Sequence, residues 1–411
     1  MPMAASCPIL ISRVTDMRAD NEAQVIEAVR AARADAAPLE IVAGGTRRGV
    51  GRPLKDGNGA DLAQLDVSGL AGIRKYEPEE LIVTAAPATP LSEIVQTLAE
   101  KNQRLGFDPA DWSQVLGSNG IATLGGAVSA DASGSGKLRH GPARDSLLGF
   151  HAVNGLGEAF RGGSRVVKNV TGFDLPKLMC GAFGTLAVLT EVTFRVYPRP
   201  THSVTLCLED MTIDDGLAAL RKIGHSALEP TGLAYLPGAL LGEAGLPDAG
   251  LSDEGRGAAL IRLEGAPQPL EEKVAMAHGL LGRVAARRVE DGIGLFNRIG
   301  SGTLFAGAVG DVWRVMVAPA DAPRVAKELN ISSWLADWAG GVLWLAAPPS
   351  DAARIRAIAA TARGQAMLLR AAPALRASLG LYAPQPRALA ELTARVKAAF
   401  DPLSLFNPGR F

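Results

Sequence analysis

The sequence is poor in cysteine. Among its 411 residues there are three cysteines, Cys7, Cys180 and Cys207, and no two of them form a CxxC pair. An odd number at wide spacing favours neither a disulfide framework nor a zinc or iron–sulfur site. We therefore expect each cysteine to be a small buried apolar side chain.

Histidine is scarce too. No two of the five histidines are two or four residues apart, the spacings at which a strand or a helix places two ligands on one metal ion. The sequence therefore predicts no metal site. The histidines are His140, His151, His202, His225 and His278.

Net charge and long apolar runs are also missing. Lys plus Arg and Asp plus Glu both number 42, whereas nucleic-acid-binding proteins usually carry a basic surplus. No stretch reaches the roughly 18 consecutive apolar residues of a membrane span, and the N-terminal residues lack the pattern of a secretory signal. We expect a cytoplasmic protein with no transmembrane segment and no nucleic-acid partner. Peripheral attachment to the inner membrane through a partner stays open.

Helices and strands alternate in the first half of the chain. The stretch 20–38 predicts a helix with Asn21 as its cap and Gln24 at the capping-box position. A second helix is predicted to begin with Thr89 as its cap and Pro90 at the first helical position.

Further along, the pattern indicates antiparallel strands. Residues 146–163 predict a hairpin whose turn contains Asn154-Gly155, a dipeptide typical of tight turns. Apolar residues alternate between Leu186 and Val196, which predicts a half-buried strand.

The sequence changes character at "YPRP", residues 197–200. Beyond it, strand-like stretches alternate with helical ones, which favours a second α+β unit. A helix at 385–400 precedes a short tail. We predict one domain over 1–199, a second over 200–384, and a helix and tail over 385–411 that return to the first domain.

Glycine-rich loops are the candidate ligand-binding segments. The first, "AGGTRRGVG" at 43–51, could hold an anion on its backbone N–H groups, with Thr46 and an arginine nearby. It matches neither the P-loop nor the GxGxxG pattern. On its own, this loop is more typical of a glycine-rich turn than of a phosphate site.

Two later segments strengthen the ligand interpretation. Between Ala127 and Gly136 no side chain is larger than valine or aspartate, so the backbone there could pack directly on a flat or extended ligand. The segment "GAFGTL" at 181–186 could pair with a base through its backbone, although an ordinary glycine at a helix end explains it equally well.

Together these segments, with "KNVTGFDLPKLMCGAFGTLAVLTEV" and the terminal "FDPLSLFNPGRF", resemble the vanillyl-alcohol-oxidase/PCMH-type family of FAD-binding proteins. The resemblance covers residues 5–200 and the last dozen or so, and is strongest to the FAD-binding subunits of glycolate oxidase. It implies an α+β fold: a PCMH-type FAD-binding domain of two α+β subdomains, followed by an α+β cap domain.

The resemblance also implies which residues contact FAD. The first loop would bind the pyrophosphate of FAD, and residues 123–126 would continue that surface. The Asp131–Gly141 region would line the flavin. The segment around Gly184 would contact the adenine side, and Asn407 in the tail would approach the flavin ring. The residues are Ala43, Gly44, Gly45, Thr46, Arg47, Thr123, Leu124, Gly125, Gly126, Asp131, Ser133, Gly134, His140, Gly141, Gly184, Thr185, Val188 and Asn407. The first loop contains neither His nor Cys, so we expect non-covalent FAD.

The activity implied is oxidation of a small 2-hydroxy acid such as glycolate, with electrons passed to a GlcD-like FAD subunit and a GlcF-like iron–sulfur subunit. A substrate carboxylate calls for an arginine or lysine. The candidates are Arg139, Arg144, Arg165, Lys168 and Arg314. The chain lacks the "HGEHGxG"-type segment of related dehydrogenases, so no catalytic base is assigned. Two alternatives stay open: an FAD-binding assembly subunit without catalysis, and a self-sufficient oxidase.

Overall fold

A computed structural model describes residues 16–55, 58–164, 173–246, 251 and 255–410. Cys7, Arg165 and Lys168 lie outside these described residues. Cys207 is buried in a core, as expected, and burial raises its pKa to about 12. Cys180 is only partly buried.

The first half of the chain forms short helices and two sheets. Its elements are β1 (Met17–Arg18), α1 (Glu22–Ala34), β2 (Leu39–Val42), β3 (Ala63–Asp66), β4 (Ile73–Glu77), β5 (Ile82–Ala85), α2 (Leu91–Ala99), β6 (Gln103–Leu105), α3 (Ser113–Leu116), α4 (Leu124–Ser129), α5 (Lys137–His140), α6 (Ala143–Ser146), β7 (Leu147–Val153), β8 (Ala159–Gly163), α7 (Leu175–Met179) and β9 (Val188–Pro198).

The second half forms a larger sheet with covering helices. Its elements are β10 (His202–Thr212), α8 (Ile213–Gly224), β11 (Gly232–Pro237), α9 (Gly238–Leu241), β12 (Arg256–Gly265), α10 (Pro267–Leu281), β13 (Arg287–Val289), α11 (Gly292–Gly300), β14 (Asp311–Met316), α12 (Ala322–Leu329), β15 (Trp334–Asp337), β16 (Val342–Ala347), α13 (Ala352–Thr361), β17 (Gln365–Arg370), α14 (Pro373–Leu379) and α15 (Arg387–Phe400). Single 3₁₀ turns lie at Pro78–Glu80, Thr303–Phe305, Trp338–Gly340 and Pro349–Asp351.

The strands of the described residues form three sheets. A parallel sheet has the order β1-β3-β2. A second, antiparallel sheet has the order β4-β5-β9-β7-β8, with β6 also paired to β9. The third has eight antiparallel strands in the order β13-β10-β12-β11-β15-β16-β14-β17. The α+β fold class predicted from the sequence is confirmed.

The eight-stranded sheet buries both of its faces. One face packs on α8, α10, α12 and α13. The other face packs on residues of the first half, among them Trp112, Val115 and Ala132. This second face brings the two halves of the chain together, so side chains of its strands reach the glycine-rich loops.

Several local predictions are confirmed, and one is wrong. The Asn21 side chain accepts a hydrogen bond from the Gln24 N–H at 3.0 Å and caps α1. The 147–163 hairpin forms, with Asn154 in its turn. The predicted start of α2, however, is wrong: Pro90 is the cap residue and not the first helical residue. The Thr89 hydroxyl instead donates to the Ala86 carbonyl at 2.6 Å and accepts from the Gly72 N–H at 2.9 Å.

The C-terminal tail is held against the first half by a buried carboxylate. Asp401 is fully buried, and it accepts hydrogen bonds from the Leu405 N–H at 2.9 Å and the Phe406 N–H at 2.8 Å. The Lys397 ammonium lies 2.5 Å from the same carboxylate. Phe406 then packs in the core formed by α1, β2 and β3.

We predict that Asp401→Ala lowers the free energy of unfolding by roughly 3 kcal/mol, because it leaves two backbone N–H groups without their acceptor and removes the carboxylate partner of a partly buried ammonium. Among the described residues, Lys397 then keeps only the carbonyls of Thr185 and Phe406 as acceptors. Urea denaturation followed by circular dichroism measures the change. On the same helix, Glu391→Ala removes only an exposed ion pair to Arg387 and should cost less than about 1 kcal/mol. Equal effects of the two substitutions would contradict this account of the tail.

Candidate functional site

Two glycine-rich loops contact each other through their main chains: the first at 43–51, and one at 117–126, which is called the second loop below. The Ile121 N–H donates to the Gly44 carbonyl at 2.9 Å. A Cβ on Gly44 would lie 1.7 Å from the Ile121 oxygen, and one on Gly120 would lie 1.9 Å from the Gly44 oxygen. No side chain fits at either position, so both glycines are required by this contact.

The second loop is fixed on its other side by β5 and its connection to α2. Thr123 caps α4 by accepting from the Gly126 N–H at 3.2 Å. The Gly125 N–H donates to the Pro87 carbonyl at 2.7 Å. Leu124 is completely buried in the core behind the loop. The loop therefore exposes backbone and small side chains, with little freedom to move.

The third segment docks on the second loop. The Phe183 N–H donates to the Ser129 carbonyl at 2.7 Å. Phe183 and Gly184 both adopt positive φ, 50° and 66°, so the chain turns back sharply here. Gly184 suits this left-handed conformation, which a residue with a Cβ adopts at some energetic cost.

Asn407 joins the tail to two of these segments. Its amide oxygen accepts from the Ile41 N–H at 2.9 Å, and its amide nitrogen donates to the carbonyls of Phe183 at 2.9 Å and Gly184 at 3.3 Å. The side chain is therefore fully engaged in holding β2 and the third segment at a fixed separation.

These segments enclose a cleft of about 130 Å³. Sites that bury a whole small molecule measure roughly 300–1,000 Å³, so the enclosed part suits a compact group of a longer ligand. Gly45 has φ of 75°, and a Cβ at this position would have no atom within 4 Å, so the residue faces open space.

Two buried arginines give the cleft its chemistry. Arg47 and Arg410 line it, and burial lowers the pKa of each guanidinium to about 10. The Nε of each has no hydrogen-bond partner. Arg48, by contrast, is ion-paired with Glu40 at 2.5 Å. Buried guanidinium groups with unmet donors fit an anionic ligand such as a pyrophosphate.

Most of the predicted cofactor residues lie together in this cleft. They are Ala43, Gly44, Gly45, Thr46, Arg47, Thr123, Gly125, Gly126, Gly184, Val188 and Asn407. Leu124 lies behind the loop. Thr185 donates its hydroxyl to the Ala182 carbonyl at 2.7 Å and does not line the cleft.

The remaining predicted residues lie beyond the cleft, where the two halves of the chain meet. Asp131 has φ of 44°, and one of its carboxylate oxygens is buried without a partner. Burial raises the pKa of Asp131. The Ser133 hydroxyl is buried and without a partner as well. Unmet polar atoms of this kind are typical of a ligand site.

Arg314, on β14, faces this region. It is buried and lies among three indole rings, with its guanidinium carbon 5.3 Å from the Trp112 ring, 5.3 Å from the Trp338 ring and 4.9 Å from the Trp344 ring. Its Nε has no partner. Burial lowers the Arg314 pKa, and the charges of Tyr382, Asp337 and Asp131 raise it to a smaller extent. The indole faces favour the cation but supply no acceptor.

The second half holds the Asp131–Gly136 loop in place. Ser135 donates to the Asp337 carboxylate at 2.6 Å, and the Trp338 indole N–H donates to the Gly134 carbonyl at 3.0 Å. Burial raises the pKa of Asp337 to about 6. Lys137 lies 4.5 Å above the Trp338 ring. The second half of the chain therefore positions the loop that carries Asp131.

Among the predicted carboxylate-binding residues, the structure distinguishes Arg314. Arg139 is exposed and ion-paired with Glu229 at 2.9 Å. Arg144 is exposed beside Asp145. Arg165 and Lys168 lie outside the described residues.

The sequence resemblance groups His140 and Gly141 with the flavin-lining residues. The His140 ring lies in a different cavity, where its Nδ1 is 2.9 Å from a guanidinium nitrogen of Arg104. Gly141 lies at the end of α5 and lines neither cavity. Neither residue is brought to the first cleft.

Several residues of the site are absent from the sequence-based prediction. Arg410, Ser129, Phe183 and Pro87 line the cleft, and Trp112 and Trp338 surround Arg314. Arg410 could have been predicted from the terminal "NPGRF", because it lies only three residues beyond Asn407, which was predicted to contact the cofactor. Nothing local to the tryptophans marks them, since their role depends on three distant segments.

Comparison with known proteins identifies the class and then the family. A family model described as an FAD binding domain matches residues 16–163. The fold is similar to the crystal structure of p-cresol methylhydroxylase with substrate bound, with a TM-score of 0.65 over 96% of this chain and 87% of that chain, at 16% identity. The fold and the cleft thus define a PCMH-type flavoprotein, and FAD is its cofactor.

Two relatives refine this result. The chain is 31% identical to glycolate oxidase subunit GlcE of Escherichia coli (strain K12) over 393 residues, which is 95% of this chain and 97% of that protein. It is 28% identical to glycolate oxidase subunit GlcD of Bacillus subtilis (strain 168) over 164 residues, 40% of this chain and 33% of that protein. The chain belongs to the GlcE family of glycolate oxidase subunits, as the sequence resemblance predicted.

Two absences hold for the described part of the chain. None of its helices is long and apolar enough to cross a membrane. No group of three or more His, Cys, Asp or Glu side chains within it is placed to hold a metal ion.

We predict that Gly44→Ala prevents stable folding or strongly destabilises the protein, because its methyl group would overlap the Ile121 carbonyl. Gly49→Ala, in the same loop, is the matched control: its nearest atom would be 4.0 Å away, on the flexible Leu116 side chain. Thermal melts of the two variants compare them. If the Gly44 variant melts within a degree or two of the control, the main-chain contact is looser than the structure shows.

Proposed function

We propose that this chain is the FAD-binding subunit of a glycolate oxidase complex and takes part in oxidising glycolate to glyoxylate. The observation that carries the proposal is the likeness to GlcE over nearly the whole of both chains. When bound, FAD supplies the acceptor for the hydride removed from the carbon that bears the hydroxyl group.

The first cleft would hold the dinucleotide part of FAD. The backbone of 43–46 and 123–126 would surround the pyrophosphate, with Arg47 and Arg410 donating to its oxygens. Gly184 and Val188 would meet the adenine side, with Thr185 behind them. Asn407 would set the width of the cleft rather than contact the ring system, since its side chain is already hydrogen-bonded. With no His or Cys in the first loop, we propose non-covalent binding.

The flavin ring would lie beside Asp131, Ser133 and Gly134, where the two halves meet. Arg314 would receive the substrate carboxylate, because it is a buried cation whose Nε lacks an acceptor. Asp131 would accept the hydroxyl proton, since its raised pKa and unpartnered oxygen suit a general base. Gly141 and His140 are left out of this assignment.

Electron transfer out of the chain would need partners. Among the described residues, the cysteines Cys180 and Cys207 are far apart in sequence and form no cluster. We propose a GlcD-like FAD subunit and a GlcF-like iron–sulfur subunit as partners, in the cytoplasm or peripheral to the inner membrane through those partners. The likeness to GlcE, which is itself one subunit of glycolate oxidase, supports this assembly.

A second function, an FAD-binding assembly subunit without catalysis of its own, has one observation in its favour. All five histidines lie in the described residues, and none of them interacts with Arg314 or Asp131. The histidine base expected of a hydroxy-acid dehydrogenase is thus missing from this place, and Asp131 would have to replace it.

For the cofactor, we predict that Arg47→Met and Arg410→Met each weaken FAD binding about tenfold or more, because each removes charge-assisted hydrogen bonds to phosphate worth roughly 1.5–3 kcal/mol. Fluorescence of released flavin during dilution measures the affinity. Arg161→Met, at an exposed position on β8, is the control. A colourless wild-type protein, or unchanged affinity in both variants, would refute this assignment.

For the reaction, we predict that glycolate bleaches the flavin absorbance of the wild-type protein under anaerobic conditions. Arg314→Met should raise the half-saturating glycolate concentration at least tenfold, and Asp131→Asn should slow bleaching at saturating glycolate. Flavin content should stay unchanged in both. If the isolated wild type does not bleach but its complex with the partners does, the assembly role is correct instead.

A further inference from the structure

A second cavity, of about 460 Å³, lies between the two halves of the chain. It is bounded by residues 102–109 around β6, by the crossover 199–203, by β12 and by α11. It shares no lining residue with the first cleft. Its volume is within the roughly 300–1,000 Å³ of sites that bury an entire small molecule.

The wall of this cavity carries unmet hydrogen-bond donors. The Nε of Arg104 and the hydroxyl of Ser203 are buried and have no partner. A guanidinium can only donate, so the 2.9 Å contact from Arg104 makes the His140 Nδ1 an acceptor and leaves the ring proton on Nε2. Burial and the charges of Arg104, Arg262 and Arg139 lower the His140 pKa to about 3, so the ring is neutral at physiological pH.

The charges around the cavity compensate Arg104 only in part. The carboxylates on the wall are Asp108 and Glu264. Asp108 accepts from the Gly136 N–H at 2.8 Å, and Glu264 lies 3.5 Å from Arg262. Burial lowers the pKa of Arg104, and the charges of Glu264 and Asp108 offset this effect without cancelling it. An added anion would therefore stabilise the buried cation further.

Part of the cavity wall is apolar. Val95 and Ile293 line the cavity and are each 50% exposed. Leu105 and Phe107 also line it and are buried. A ligand that placed an apolar body here and an oxyanion on Arg104 would satisfy both sides at once.

We propose that this cavity binds an organic carboxylate with an apolar body, its carboxylate accepting hydrogen bonds from Arg104, Ser203 and the His140 Nε2. The site is separate from the one around Arg314, which the glycine loop 134–136 divides from it: Asp108 binds that loop from the cavity side, and Trp338 binds it from the other.

The test uses the FAD-loaded protein and three probes of the same shape: benzoate, benzamide and benzylamine. Isothermal titration calorimetry should show saturable binding of benzoate, with benzamide and benzylamine at least tenfold weaker. Arg104→Gln should weaken benzoate binding at least tenfold, and Ser203→Ala should weaken it several-fold. Flavin content and melting temperature of each variant, measured in parallel, report whether it folds.

Two further variants locate the binding. Arg161→Gln, at an exposed position on β8, should bind benzoate as the wild type does. Arg314→Met should retain the benzoate binding that Arg104→Gln loses. The proposal is overturned if benzoate fails to bind at millimolar concentration, if benzamide binds equally well, or if binding is lost in Arg314→Met and retained in Arg104→Gln.

Discussion

The contact between Gly44 and the main chain at 120–121 is the constraint on which the rest of the cleft depends. Two loops from different parts of the sequence meet with no side chain between them. Their main chains are so close that a Cβ on Gly44 or Gly120 would overlap the facing carbonyl oxygen. This fixes the first loop against the second. The third segment then docks on the second through Phe183 and Ser129, and Asn407 connects it to β2.

The same constraint explains why arginine supplies the charge of the cleft. With loops this close, anion recognition has to come from backbone N–H groups and from side chains that enter from the edges. Arg47 lies within the first loop and Arg410 enters from the tail, and both are buried. Burying two cations is costly in the absence of an anion, which is why a phosphate-bearing ligand suits the cleft so well.

Features of this protein that are determined by residues close together in the chain could be predicted from the sequence. Asn21 caps α1 because cap and helix are neighbours in the chain, and the glycine pairs are visible because close backbone contact leaves no alternative residue. Prediction fails where a residue bonds to partners outside its own helix. The position of Thr89 favours a cap for α2, but its hydroxyl is hydrogen-bonded to Gly72 and Ala86 instead. His140 likewise lies in the second cavity because Arg104 binds it there. Arg314 differs from Arg139 and Arg144 in its burial among three tryptophans, which only folding brings together.

The hydrogen bond between Ile41 and Asn407 joins residues 366 positions apart in the chain. Loop-closure entropy opposes such a contact until the intervening segments have folded, and contacts of this range are associated with slow folding. Asn407 follows the whole second half in the chain, so this hydrogen bond can form only after the second half has been synthesised. The separation between β2 and the third segment is therefore fixed late in biosynthesis, although both belong to the first half of the chain.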